Sequence, residues 1–184
     1  MQRLKIILRK EIKITNVVCT TDLKQPVNIA SFNECKFLSS NLNLYRCGYV
    51  KDNTMKGRVS VFASGKLISV GTTSPKQAYS ELEKATKILR KYHLIKPCKI
   101  VPKIQNIVSI AFLGKKLNLN KLARTLPRVI YEPEQFAGLT YRIRDSLVAL
   151  IFASGKVVMV GAKTINELNQ ALFELQERIE RITP

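Results

Sequence analysis

Phe62-Ala63-Ser64-Gly65-Lys66 returns unchanged, 90 residues later, as Phe152-Ala153-Ser154-Gly155-Lys156. At the same offset Val70-Gly71 returns as Val160-Gly161, and Lys13-Ile14-Thr15-Asn16-Val17-Val18 as Lys103-Ile104-Gln105-Asn106-Ile107-Val108. Three matches at one spacing mean that one unit is written twice. Such a chain is expected to fold with a pseudo-twofold axis and to carry its functional surface in duplicate. Duplex DNA, with its own approximate dyad, suits a surface of that kind.

Each copy reads β-α-β-β-β-β-α. Strands are expected over residues 12–21 and 104–112. In the second copy Asn118 can cap a short helix over 119–126, with Leu119, Leu122, Ala123 and Leu126 on one face and Pro127 stopping it. Residues 26–34 hold that place in the first copy. Strands joined by tight turns follow, over 138–144, 147–153 and 156–160 in the second copy and 47–53, 58–63 and 66–70 in the first. A long helix closes each copy. Ser74-Pro75 is a cap with proline at the first helical position, followed by Ala78, Leu82, Ala85 and Leu89 at helical spacing. Thr164-x-x-Glu167 is a capping box leading into Leu168, Leu172, Leu175 and Ile179. Residues 93–102, with two prolines and no period, read as the linker. The expected halves are 1–98 and 99–184. The expected fold class is α+β, with helices covering one face of a curved antiparallel sheet and the other face left bare.

The charge narrows the partner. Thirty-one Lys and Arg against 13 Asp and Glu give a net charge of +18. That excess repels itself in a compact state, and a polyanionic partner explains it. Cys19, Cys35, Cys47 and Cys98 show no C-x-x-C pairing and no histidine at ligand spacing, so they read as reduced thiols and no metal is expected. The apolar run Ile6-Ile7-Leu8 is too short for a signal peptide, and no stretch is long enough to span a membrane. The expected compartment is the cytoplasm, with the nucleoid, in a prokaryote and the nucleus in a eukaryote. No nucleophile–base set or paired carboxylates appear, and the only histidine, His93, falls in the linker. Neither enzymatic activity nor a cofactor is expected.

Alternate residues of a strand share a face. On the bare face this places Asn16, Val18, Ser60, Phe62, Ile68 and Val70 from the first copy, and Asn106, Val108, Leu150, Phe152, Val158 and Val160 from the second. The surface is apolar and β-branched, with one Asn and one Phe per copy, and Lys66 and Lys156 at its rim. A strand Phe equally suits the core, and an Asn equally suits a turn. The doubling, and the polar Ser-Gly-Lys after each Phe, favour the surface reading.

Tyr131-Glu132-Pro133-Glu134-Gln135-Phe136-Ala137-Gly138-Leu139-Thr140-Tyr141-Arg142 and Leu150-Ile151-Phe152-Ala153-Ser154-Gly155-Lys156 resemble signatures of the TATA-box-binding protein family in its compact archaeal form. Lys103 to Val108 resembles the strand that opens each repeat of that family, and the resemblance spans residues 12–182. It implies a saddle whose sheet sits on the minor groove of A·T-rich DNA, with phenylalanines wedged between base steps. Wedge-driven kinking is a mechanism for which this family is itself a standing example. The chemistry fits the residues. A·T pairs show only acceptors in that groove, which Asn amides can meet, and they lack the guanine amino group that an apolar face would crowd. The resemblance places Phe136, Ala137 and Arg142 on the DNA side, with Arg142, Lys66 and Lys156 over phosphates. It implies that Glu132, Glu134 and Gln135 engage transcription factor B.

The sequence also departs from the family pattern. An ungapped offset puts Arg46 at the place of Phe136 and Asp52 at that of Arg142, while a small gap puts Leu42 there instead. Either way the first copy is expected to have one wedge missing or weakened. Val70 and Val160 stand where the family commonly has threonine, which exchanges two hydrogen bonds for apolar contacts. The first long helix carries Lys76, Lys84, Lys87, Arg90 and Lys91, a face suited to an acidic protein or to bent flanking DNA. A divergent paralogue with relaxed DNA binding is the alternative function.

Overall fold

A computed structural model describes residues 12–43 and 46–183. The described chain divides into two compact units, one spanning Asn16–Gln105 and the other holding the remaining described residues. The first copy supplies β1 (Lys13–Asp22), a 3-10 helix (Ala30–Glu34), β2 (Leu38–Ser40), β3 (Cys47–Val50), β4 (Arg58–Phe62), β5 (Lys66–Thr72) and α1 (Pro75–Lys91). Its strands lie antiparallel in the order β2-β3-β4-β5-β1. The second copy supplies β6 (Lys103–Phe112), α2 (Leu119–Thr125), β7 (Val129–Ile130), β8 (Leu139–Arg142), β9 (Val148–Ile151), β10 (Lys156–Ala162) and α3 (Ile165–Ile182), with its strands in the order β7-β8-β9-β10-β6. Both copies follow β-α-β-β-β-β-α, and the α+β class is the one expected. The strands that sequence periodicity left unassigned are β2 and β7, whose three and two residues are too few to show a period.

Period-two patterning sorts each sheet into two faces. Val17, Cys19, Val59, Val61 and Leu67 are fully buried, as are Ile107, Ala149, Ile151, Val157 and Met159. The helices cover these residues. α1 lays Ala78, Leu82, Ala85 and Leu89 against β4 and β5, and α3 lays Leu168, Leu172, Leu175 and Ile179 along β10 and α2. The caps are those the sequence implies. Ser74 Oγ accepts from Gln77 N at 3.2 Å, Thr164 Oγ1 from Glu167 N at 3.1 Å and Asn118 Oδ1 from Lys121 N at 3.0 Å.

The strand registers correct the 90-residue alignment in one segment. Val59 pairs with Val50, whereas Ala149, 90 residues after Val59, pairs with Tyr141. Val50 and Tyr141 are therefore counterparts at an offset of 91. Phe37 and Arg128 share that offset and both adopt positive φ, 70° and 56°. Their carbonyls accept the backbone N–H of Lys51 (3.0 Å) and of Arg142 (3.2 Å) respectively. The physical reason is a compensated change in loop length. The second copy has one residue more before β7 than the first has before β2, and one fewer between Arg142 and Val148 than the first has between Lys51 and Arg58. The counterpart of Arg142 is thus Lys51, not Asp52. The same count puts Tyr45, neither Arg46 nor Leu42, at the sequence place of Phe136. Tyr45, an aromatic in sequence, lies outside the described residues. Leu42 stands exposed in the turn after β2, and Arg46 falls at the place of Ala137.

Candidate nucleic-acid interface

The face opposite the helices is half-exposed in both copies. In the first copy Tyr49, Ser60, Ile68 and Thr20 form a row across β3, β4, β5 and β1. In the second the row is Ile130, Thr140, Leu150, Val158 and Ile110. Val18, Phe62 and Val70, and Val108, Phe152 and Val160, lie half-buried on the same faces. Phe62 and Phe152 are therefore not core residues. The turn that follows each strand turns back at Gly65 or Gly155, both at positive φ, and holds the ring at the sheet's end.

Asn16 and Asn106 sit within strands, not in turns. Asn16 Oδ1 accepts the N–H of Gly71, and Asn106 Oδ1 that of Gly161, both at 2.8 Å. Each glycine has positive φ, 88° and 108°, at an irregularity in β5 or β10 that turns its N–H toward the asparagine. The side-chain carbonyl is thereby used, which points the amide NH2 outward as a donor. Identical wiring in both copies yields one outward donor on each largely apolar face.

At the end of the second sheet Phe136 packs edge to face on Phe152. Phe136 remains 43% exposed. Its position comes from a tight turn in which the carbonyl of Glu132 accepts from Gln135 N (3.0 Å) and Phe136 N (2.9 Å). Glu132, Glu134, Gln135 and Ala137 are exposed around it. Gly138 leaves room for the pair, because a Cβ there would lie 2.7 Å from the Phe136 ring and 3.1 Å from that of Phe152.

The rim cations differ in their surroundings. Lys156 is half-buried and pairs in register with Phe112, itself 58% exposed. Lys66 is exposed and pairs in register with Asp22. The Asp22 carboxyl is held below its ordinary pKa, first by the Lys24 backbone N–H (2.8 Å) and then by the Lys24 ammonium (3.2 Å), with Lys66 adding to the effect. Arg142 Nη1 donates to the Asp145 carbonyl at 2.8 Å. Sequence patterning missed Arg58, which stands on the open face of β4 with its guanidinium 4.7 Å from the Tyr49 ring centroid. Its only signal was a charge in place of Val148 of the second copy.

The basic helix is less free than its sequence implies. Lys84 Nζ donates to Thr54 O and Oγ1, both at 2.9 Å, and Arg90 is bonded to the Cys98 carbonyl. Lys76, Lys87 and Lys91 stay exposed. Two acids of α3 are likewise engaged, Glu174 with Arg144 and Glu177 with Arg181. Among the described residues no cluster of His, Cys, Asp and Glu could hold a metal, and no helix is long and apolar enough to cross a membrane.

The family model described as transcription factor TFIID, or TATA-binding protein, matches residues 11–92 and again 101–182. This chain belongs to the TATA-binding protein family. The TATA-box-binding protein of Cenarchaeum symbiosum is 36% identical over 169 residues, covering 91% of this chain and 93% of that one. That of Methanosphaera stadtmanae is 36% identical over 174 residues, covering 94% and 93%. The solved structure of the Methanococcus jannaschii TBP is similar at 32% identity with a TM-score of 0.83, covering 93% of this chain and 99% of that one. The relationship extends through both repeats of the TATA-binding protein fold.

Proposed function

We propose that this protein is a general transcription initiation factor that binds and bends A·T-rich promoter DNA through the minor groove and then recruits transcription factor B. The observation that carries this reading is the duplicated open face. It is apolar and β-branched, it holds one outward asparagine amide per copy, and an exposed aromatic pair stands at the end of the second. An apolar face suits A·T pairs, where no guanine amino group projects, and the amides meet the N3 and O2 acceptors. The two halves, 1–98 and 99–184, would each grip half of the site. Asn16, Val18, Phe62, Lys66, Ile68 and Val70 act in one, and Asn106, Val108, Phe136, Ala137, Arg142, Leu150, Phe152, Lys156, Val158 and Val160 in the other. The net charge of +18 supplies a salt-dependent component of binding.

Family membership and the exposure of Glu132, Glu134 and Gln135 support the transcription factor B contact. A factor-recruitment assay on preformed protein–DNA complexes tests it. Glu132→Arg with Glu134→Arg should abolish recruitment and leave DNA binding intact; unchanged recruitment sinks the assignment.

Val70 and Val160 favour a second reading, a paralogue with relaxed sequence preference, because the central positions offer no hydroxyl. Duplexes with A·T-rich and scrambled sequences separate the two. A preference of at least about tenfold for the A·T-rich duplex, near the lower end of the 1–3 kcal/mol that each mismatched base pair typically costs, supports promoter recognition. Equal affinity supports the paralogue.

A further inference from the structure

Lys51 and Arg142 are register counterparts, yet their cations are used differently. Lys51 Nζ donates to the carbonyls of Met55 (2.6 Å), Lys56 (2.7 Å) and Gly57 (2.6 Å). An ammonium has three N–H bonds, so all of its donors face its own hairpin loop. Arg142 donates one N–H to the Asp145 carbonyl and keeps most of its five donors for a ligand. On the neighbouring strand the charges are exchanged. Val148 pairs with Arg142 in the second copy, and the counterpart of Val148 in the first is Arg58.

Arg58 is built for an anion. It is exposed, it pairs in register with Val70, and its guanidinium lies over the Tyr49 ring, 4.7 Å from the centroid. Among the described residues no ion pair involves it. The chain just before it is fastened on two sides. Buried Glu81 accepts the Gly57 N–H at 2.9 Å through Oε1, and Lys51 holds the Gly57 carbonyl. A cleft of about 340 Å³ opens beside it, lined by Lys51, Lys56, Gly57, Arg58, Val70 and Gly71.

We propose that Arg58 makes the backbone-phosphate contact of the first half, in place of Lys51, so that this contact has moved one strand inward from the position Arg142 holds in the second half. The proposal rests on the reading of the open faces as the DNA surface. A planar guanidinium presents two parallel donors to a phosphate, which a loop-bound ammonium cannot. The consequence is a phosphate grip that is asymmetric between the halves and independent of base sequence.

The test is the salt dependence of binding of the full chain to an A·T-rich duplex, read by fluorescence anisotropy. Arg58→Met should lower the slope of log K against log salt by about one, as should Arg142→Met, with a similar loss on scrambled duplex. Lys51→Gln, which keeps donors for the loop carbonyls, should leave the slope unchanged, and Arg58→Lys should keep it. An unchanged slope for Arg58→Met beside a lowered one for Arg142→Met overturns the relocation and spares the DNA face. A slope lowered by one in Lys51→Gln also overturns it. Unchanged slopes in both arginine variants overturn the DNA face and this proposal together. Thermal melts confirm that each variant folds; if Arg58→Met does not, Arg58→Val, the residue of the second copy, replaces it.

Discussion

Phe136 and Phe152 meet edge to face, with ring centroids 5.9 Å apart and planes at 72°. One ring comes from the turn before β8 and the other from the end of β9, so each braces the other against the end of the sheet. A braced ring loses little further freedom when it enters a base step, which suits it to act as a wedge. Phe136→Ala and Phe152→Ala should each reduce the DNA bend seen by fluorescence transfer and weaken binding by about 1–3 kcal/mol, the range found when an aromatic that stacks on a base is removed. Phe136→Ala should leave the melting temperature nearly unchanged, because the ring is already half in solvent. A full bend in both variants would remove the wedge mechanism.

Gly138 provides a finer test of the same pair. Its φ is not in the left-handed region, so alanine suits the backbone there, and the atoms nearest a Cβ belong to the two rings. Gly138→Ala should therefore fold, push the rings apart and reduce bending. Gly161→Ala should behave differently. Its φ is 108° and a Cβ would fall 1.6 Å from the Ser146 carbonyl oxygen, so it should lose at least about 2 kcal/mol of stability. Urea denaturation of the two variants checks the contrast.

The repeat and its caps were legible because they are local. Ser74, Asn118 and Thr164 act within four residues, and the Ser-Gly-Lys turn needs only its own glycine. The open face followed from alternation alone. Other features depend on partners chosen by register. A one-residue change before β7 and its reversal after β8 leave the flanking motifs at an offset of 90, so no motif signals that Lys51, not Asp52, answers Arg142. The pairing of Arg58 with Tyr49 exists only once β3 is set against β4. The same holds for Lys84 and Arg90, whose charges read as a free helix face until the loop and linker carbonyls they bind are placed.

Cys19 ties the core to alkaline pH. Burial pushes its thiol pKa up to about 11, against backbone hydrogen bonds that lower it. In the unfolded chain the thiol titrates near its ordinary value of 9.0. Between those values the unfolded state releases a proton that the folded state keeps, so stability falls as pH rises through this window. The loss attributable to Cys19 should reach at most about 3 kcal/mol by pH 11. Urea melts at a series of pH values should show a steeper alkaline decline for the parent than for Cys19→Ala. Parallel declines would mean that the thiol ionises normally.

Asn106→Asp separates the structural role of the asparagine from its proposed role at the DNA. The carbonyl oxygen accepts the Gly161 N–H at 2.8 Å, and a carboxylate keeps that bond with a charged acceptor. The outward NH2, however, becomes an oxygen. In the free protein the substitution should alter the melting temperature little, because the buried half of the interaction survives. In the proposed complex a donor aimed at the N3 and O2 acceptors would be replaced by an anion, among largely apolar side chains and beneath two phosphate backbones. Affinity for A·T-rich duplex should fall by at least about 2 kcal/mol, the scale of one missing partner at a desolvated polar group. Asn106→Ala gives the opposite balance. It loses the Gly161 bond and destabilises the fold by about 1 kcal/mol, yet it places no charge in the groove and should bind DNA better than the aspartate variant. If the aspartate variant binds as tightly as the parent, the amide does not face the bases, and the matched pair Asn16 and Asn106 serves only to fasten the glycine irregularities of β5 and β10.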